Sequence, residues 1–397
     1  MTFARRLFLG LTGVSLASLA LGAFTITPAA AEDSIKIGLI LPMSGPQAST
    51  GRQSAAGAKL WIAQHGETIA GKKIELIIKD DGGVADQSKR LAQELVVNDH
   101  VNIIGGFGLT PIAFAVAPVV TQAKVPAVIF TAATSAIVDA SPYFIRAGRT
   151  MPQMTNPIAD WAYDNNIKSV VTLVSDYAPG IDAEKFFKQE FEKRGGKIIE
   201  SLRAPLASPD FSAFLQKAKD DKPDALFLFV PSGQGASLMK QVTDRELTKA
   251  GIKVIATGDV TDDDLMPGMS DDLLGMITGH DYSADHDSPE NKKFVADFTK
   301  ANPGMRPNMM AVAAYDGLGI MYKGLEATKG DATGATLIEA MKTVSMVSPR
   351  GPIKVDPETR ELTSNQYMRK VEKKNGQLYN VEFKTIPMVR DETHVKK

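Results

Sequence analysis

Three stretches of this chain are built from small residues and hydroxyls, and they suit one kind of chemistry. They are Pro42-Met43-Ser44-Gly45-Pro46, running on through Ser49-Thr50-Gly51; Gly105-Gly106-Phe107-Gly108-Leu109-Thr110-Pro111; and Thr131-Ala132-Ala133-Thr134-Ser135. Glycines such as Gly108 let backbone approach a ligand closely, while hydroxyls and the free N–H groups of a helix start hold an anion. Thr110 reads as a helix N-cap, with Pro111 at the first helical position where no N–H is needed. Taken singly, each loop is also an ordinary tight turn leading into a capped helix. Three of them, after the first, third and fourth strands predicted, point to a binding site for a small anion.

Arg52 is a separate case. It follows Gly51 where the first helix is expected to begin, and a cation at a helix N-terminus opposes the dipole. Two explanations stay open: a second anionic group on the ligand, or a surface carboxylate within reach. Other constellations fail on spacing. Gly66-x-x-x-x-Gly71-Lys72-Lys73 lacks the Ser/Thr of a P-loop and joins a helix to a strand, the reverse of the true motif. Asp262-Asp263-Asp264 and the carboxylates over 281–287 lack the alternation and glycine of a calcium loop, and read as a solvated surface. The five histidines, His65, His100, His280, His286 and His394, form no H-E-x-x-H pair. His280, beside Asp281 and Tyr282, is assigned a hinge or surface role ahead of one on the cleft wall. With no cysteine and no G-x-S-x-G elbow, no nucleophile stands out. No metal, no cofactor and no catalysis are expected.

The elements that position these loops alternate along the chain. Strands are predicted over 35–41, 73–79, 101–104 and 127–130, with helices over 54–64, 85–98 and 110–122 between them. The pattern restarts with a helix over 151–164, strands over 169–174, 197–202, 225–230 and 253–256, and helices over 180–194, 211–219 and 233–248. Helices over 291–301 and 309–327 and short strands over 367–372 and 378–383 close the chain. Alternation of this kind is the signature of βαβ units on parallel sheets, so the fold class is α/β with two doubly wound lobes. Ligands of such sheets sit beyond the strands' carboxyl ends, where the three loops fall.

Composition sets the compartment and the class. Arg5-Arg6, an apolar stretch over 7–24 broken by Gly10, Gly13 and Gly22, and Ala29-Ala30-Ala31 form an export signal cut after Ala31. Arg5-Arg6-Leu7-Phe8-Leu9 also fits a twin-arginine signal, so either export route is open. The remaining 366 residues exceed one hydrophobic core, and two domains are expected. A formal charge of −1, with no strongly basic or acidic stretch, argues against nucleic acid or an anionic membrane as partner. Without cysteine the exported chain must hold together by its cores alone. After cleavage no apolar run approaches membrane-spanning length, so a soluble periplasmic monomer is expected.

The chain resembles the solute-binding proteins of ABC importers of the leucine/isoleucine/valine-binding type, across nearly all of its mature length. The resemblance is carried by Ile35-Lys36-Ile37-Gly38 with Pro42-Met43-Ser44-Gly45-Pro46, Gly57-Ala58-Lys59, Asp80-Asp81, Ala117-Pro118, Val125-Pro126, Ala133-Thr134-Ser135 and Ala314-Tyr315-Asp316. It implies a type I periplasmic binding fold, with discontinuous lobes over 32–147 with 282–348 and 148–281 with 349–397. Three crossovers, near Arg146, Asp281 and Pro349, would join them, and hinge closure would trap the ligand. By position, Thr110 and Thr134 match hydroxyls holding a ligand carboxylate, Ala132 a backbone contact, and Thr50 a contact to the ligand side chain. Asp259 matches the acid that meets an α-ammonium, with Phe107 and Tyr177 as aromatic alternatives. Two features depart from the pattern: Asp176-Tyr177-Ala178-Pro179-Gly180 carries proline where the family often has its aromatic, and the first-lobe disulfide is absent. The implied ligand is a branched-chain or related amino acid; some members take aromatic acids, and that alternative stays open. The implied partners are that ligand and an inner-membrane permease. Two rival classes are weaker: a sensor ectodomain lacks its anchor and signalling domain here, and an amidase-like enzyme lacks its nucleophile.

Overall fold

Two sheets organise the chain, each assembled from strand–helix–strand units. The computed structural model describes residues 34–207 and 210–394, so the expected export signal over 1–31 lies outside the described residues. The first sheet holds β1 (Ser34–Leu41), β2 (Thr68–Ile69), β3 (Lys72–Asp80), β4 (Ile103–Gly106), β5 (Ala127–Ile129) and β6 (Phe144–Arg146), in the order β2-β3-β1-β4-β5-β6. Its neighbours are parallel except β2 against β3. Its helices are α1 (Ala48–His65), α2 (Ala85–Val97) and α3 (Thr110–Ala123). Strand β1 reads as a nearly unbroken apolar run because helices cover both faces; Ile35, Ile37, Leu39, Ile40 and Leu41 are all buried.

After β6 the chain enters α4 (Met151–Asp164) and a second sheet. There β7 (Ser169–Ser175), β8 (Lys197–Ala204), β9 (Ala225–Phe229), β10 (Lys253–Thr257) and β11 (Ile277–His280) run parallel in the order β8-β7-β9-β10-β11. Helices α5 (Ala178–Lys193), α6 (Ser212–Asp220) and α7 (Gly235–Asp244) connect them. The chain then returns to the first lobe as α8 (Pro289–Ala301), α9 (Met309–Ala327) and α10 (Gly334–Met341), with α9 packed along α1. Finally β12 (Ser345–Ser348), β13 (Gly351–Val355), β14 (Leu362–Lys374) and β15 (Gln377–Val389) extend the second sheet in antiparallel fashion. No helix among the described residues is long and apolar enough to cross a membrane.

The predicted elements differ from the observed ones in two instructive places. Helix α1 begins at Ala48, six positions before the predicted start, because Gly51 is a packing requirement there and not a break. A Cβ at Gly51 would stand 2.2 Å from the Pro42 carbonyl oxygen. The two short C-terminal strands are one long hairpin turning at Asn375-Gly376, whose φ values of 51° and 80° suit the tight type of hairpin turn.

Buried charge ties the crossing points together. Arg350 is fully buried; its Nε donates to Asp316 Oδ2 at 2.7 Å, its Nη2 to the Ala147 carbonyl at 2.7 Å, and its Nη1 pairs with Asp281. Burial pushes the Asp281 carboxyl up, but Arg350 and His280 beside it outweigh that and hold it well below the usual carboxylate range. Arg146 pairs with Glu361, and its backbone N–H donates to the Arg360 carbonyl at 3.0 Å. These contacts bring residues 146–147, 281 and 350–361 to one place.

Candidate binding site

Each sheet reverses its strand order once, at β1 between β3 and β4 and at β7 between β8 and β9. Such switch points open a crevice at the carboxyl ends of the strands, and the two crevices face each other. Between them lies a small cavity lined by residues of both lobes. The first lobe supplies Gln47 and Thr50 from the start of α1, Gly108, Leu109 and Thr110 from the β4–α3 loop, and Thr131, Ala132 and Ala133 after β5. The second supplies Tyr177 and Pro179 after β7, Phe229, Pro231 and Ser232 after β9, and Asp259 after β10. Arg149 and Met151 reach in from the start of α4, and Met310 from α9.

On the first-lobe side the hydroxyls lie close together. Thr110 Oγ1 donates to Thr134 Oγ1 at 3.3 Å, and the Thr134 N–H reaches Thr110 Oγ1 at 3.5 Å. Thr110 is therefore not the cap expected of it. It occupies the first turn of α3, Leu109 takes the N-cap position with extended backbone, and no side chain caps the helix. Ile112 and Ala113 donate to the Leu109 carbonyl at 3.1 and 3.4 Å and Pro111 has no N–H, so in the first turn it is the Thr110 N–H that has no partner within the helix. Arg146 holds the adjoining loop from behind, with Nη1 on the Ala132 carbonyl and Nη2 on the Thr134 carbonyl at 2.8 Å.

On the second-lobe side charge dominates. Arg149 Nη2 donates to Asp259 Oδ1 at 2.8 Å, and Nη1 donates to the Thr131 carbonyl at 3.2 Å. The side chains of both residues are only 3–4% exposed. Asp259 thus has a cation beside it, the Arg149 guanidinium. His280 is fully buried, with Nδ1 2.7 Å from Asp281 and Nε2 3.9 Å from Asp259, so it belongs neither to the surface nor to the cavity wall. Burial pulls its pKa down and Asp281 opposes the shift. Tyr177 stacks on Phe229 with ring centres 6.1 Å apart, and burial raises its phenol pKa.

Of the residues singled out in the sequence, Thr50, Gly108, Thr110, Ala132, Tyr177 and Asp259 line the cavity, and Thr134 stands behind Thr110. Two do not join them. Arg52 is exposed, because the earlier start of α1 turns its side chain outward in the second turn. Phe107 has φ +66° and no exposed surface; its ring packs in the apolar core with Ile112, Val116 and Phe144. Sequence reasoning missed Arg149, Phe229 and Ser232. A signal for Arg149 was present, since it immediately precedes Thr150, whose side chain caps α4 in a capping box with Gln153, and the dipole disfavours a cation there.

Two lobes meeting over a small, hydroxyl-lined cavity are the architecture of a capture protein. A model of the periplasmic binding protein family matches residues 34–377. The chain belongs to this family. Leu/Ile/Val-binding protein homolog 6 of Brucella abortus (strain 2308) is 42% identical over 376 residues, covering 93% of this chain and 96% of that protein. A solute-binding protein of an ABC transporter from Rhodopseudomonas palustris BisB5, solved in complex with 3,4-dihydroxybenzoic acid, is 55% identical with a TM-score of 0.89, over 91% of this chain and 99% of that one. A second R. palustris solute-binding protein, solved with 4-hydroxybenzoate, is 42% identical with a TM-score of 0.89, over 92% and 100% of the two chains. The fold is the type I periplasmic binding fold, and the chain is a solute-binding protein of an ABC transporter.

Proposed function

We propose that the chain is exported to the periplasm, captures an aromatic carboxylic acid between its lobes and delivers it to an inner-membrane ABC permease. The pairing of Asp259 with Arg149 carries this reading. An amino acid brings an ammonium into a nearly dry cleft, where it needs an uncompensated acid. Asp259 fills that place by position, but Arg149 has already neutralised it. A carboxylate finds better company: the Thr110 hydroxyl and backbone N–H, and Thr50. Tyr177, Phe229, Pro179 and Met310 offer flat or apolar surface to a ring. The relatives solved with hydroxybenzoates support the same ligand class. Lobe boundaries over 32–147 with 282–348 and 148–281 with 349–397 are part of this proposal, with closure pivoting about the cluster at Arg350.

The amino-acid reading keeps one supporting observation, the presence of Asp259 on the cavity wall, together with the name of the Brucella relative. A thermal-shift screen separates the two, because a ligand at about 100 times its Kd adds roughly 2.7 kcal/mol of stability. Benzoate-type acids should raise the melting temperature while leucine, isoleucine and valine do not. A response to those amino acids alone would replace the aromatic reading.

A further inference from the structure

Three buried polar atoms belonging to residues on the cavity wall have no hydrogen-bond partner among the described residues: Asp259 Oδ2, Arg149 Nε and Ser232 Oγ. Their residues are nearly inaccessible, at 3% exposure for Asp259 and Arg149 and 2% for Ser232. Buried polar groups are normally paired, and one left unpaired costs free energy. Here an acceptor, a donor and a hydroxyl that can be either are left over on the second-lobe side. His280 does not satisfy Asp259 Oδ2, because Nε2 at 3.9 Å is beyond hydrogen-bond reach.

We propose that Asp259, Arg149 and Ser232 form a hydroxyl-reading subsite, so that the ligand class narrows from aromatic acids to phenolic ones. The inference rests on the aromatic-acid reading of the cavity. A phenol both donates and accepts one hydrogen bond, which matches the orphaned carboxylate oxygen and the orphaned guanidinium N–H of the same ion pair. An ammonium would be repelled by the same Arg149, and an unsubstituted ring would leave all three groups buried and unpaired. The Arg149–Asp259 pair keeps the subsite near neutral. It therefore binds a neutral hydroxyl, while the ligand's carboxylate is held across the cavity by Thr110 and the start of α3. A site built to bond a hydroxyl rejects the analogue lacking it far more strongly than an apolar pocket rejects a missing methylene.

Calorimetry of the purified exported chain tests this with benzoate, 4-hydroxybenzoate and 3,4-dihydroxybenzoate. The hydroxylated acids should bind about 10- to 100-fold more tightly than benzoate, the span of a hydrogen bond to a charged group. Asp259→Asn replaces the orphaned acceptor by a donor, and Ser232→Ala removes a hydroxyl without disturbing the ion pair. The ratio of hydroxybenzoate to benzoate affinity should fall in either variant, and Ser232→Ala decides the matter if Asp259→Asn does not fold. Benzoate binding as tightly as the hydroxylated acids, or a ratio unchanged in both variants, would overturn the subsite while leaving the aromatic reading standing. If none of the three acids binds, the aromatic reading fails and the subsite with it.

Discussion

Thr110 acts from within the first turn of α3, where its hydroxyl meets that of Thr134 and its backbone N–H is free of helical partners. Thr110→Ala should weaken binding of the carboxylate ligand by about 1–3 kcal/mol, because the carboxylate then faces a buried methyl where it had a donor. Calorimetry reads this directly, and an unchanged affinity would remove Thr110 from the site. The stability cost should be small, since no helix cap is lost. Residue types in the loops were readable because each is a local preference: small residues for close approach, threonine for its hydroxyl. Arg149 was open to the same dipole argument that singled out Arg52, yet only the fold distinguishes them. Arg52 turns to solvent, whereas Arg149 is enclosed with Asp259, 110 positions along the chain.

At the scale of elements, α1 and α9 form the floor beneath the first-lobe half of the site. A Cβ at Gly57 would stand 2.0 Å from the Ala311 carbonyl oxygen, a backbone atom that cannot step aside. Gly57→Ala should therefore push the two helices apart and cost about 1–3 kcal/mol or more, as overpacking does. Urea denaturation should show a lower midpoint. Ligand affinity should fall with it, because Gln47 and Thr50 ride on α1 and Met310 on α9. Most helices and buried parallel strands were legible, since an unbroken apolar run or a 3.6-residue period is written into neighbouring residues. The start of α1 was not, because glycine reads locally as a break whatever packing demands. The full extent of β14 and β15 was hidden by lysines and glutamates along half-exposed strands, although Asn375-Gly376 is a strong hairpin signal.

Across the whole molecule, contacts between the lobes bear on closure. Asn308 caps α9 through Oδ1 on the Met310 and Ala311 N–H groups, and its Nδ2 donates to both oxygens of Asp262 at 2.9 Å. Burial raises the Asp262 carboxyl to about 7, with Asn308 opposing. Burial likewise raises Asp263 and Asp316 to about 6, against Arg369 and Arg350 respectively. The folded chain keeps these protons to higher pH than the unfolded chain, whose ordinary value is 3.8. Their contribution to stability is thus full below about pH 4 and lost as pH rises through 6 to 7. His280 works in the opposite sense, its folded pKa lying below 6.5, so its contribution is lost as pH falls. Asp262→Asn isolates one of these effects, since the amide mimics the protonated acid. Relative to wild type, the variant should gain stability between pH 5 and pH 8 in denaturant titrations. A difference that does not change with pH would mean that Asp262 ionises freely in the folded state.

Local sequence alone determined that this chain builds α/β units with ligand loops at strand ends. Those properties depend on residues within a turn or two of each other, and apolar periodicity, glycine and threonine report them without reference to the rest of the fold. The resemblance extended this to two lobes and a captured carboxylate. What only the tertiary structure decided is which polar groups neutralise one another. Asp259 looks like a free acid until Arg149 is placed beside it, and Arg350 looks like any surface cation until it is buried among Ala147, Asp281 and Asp316. The strength and availability of a charge depend on distance and burial, and both are set where remote segments meet.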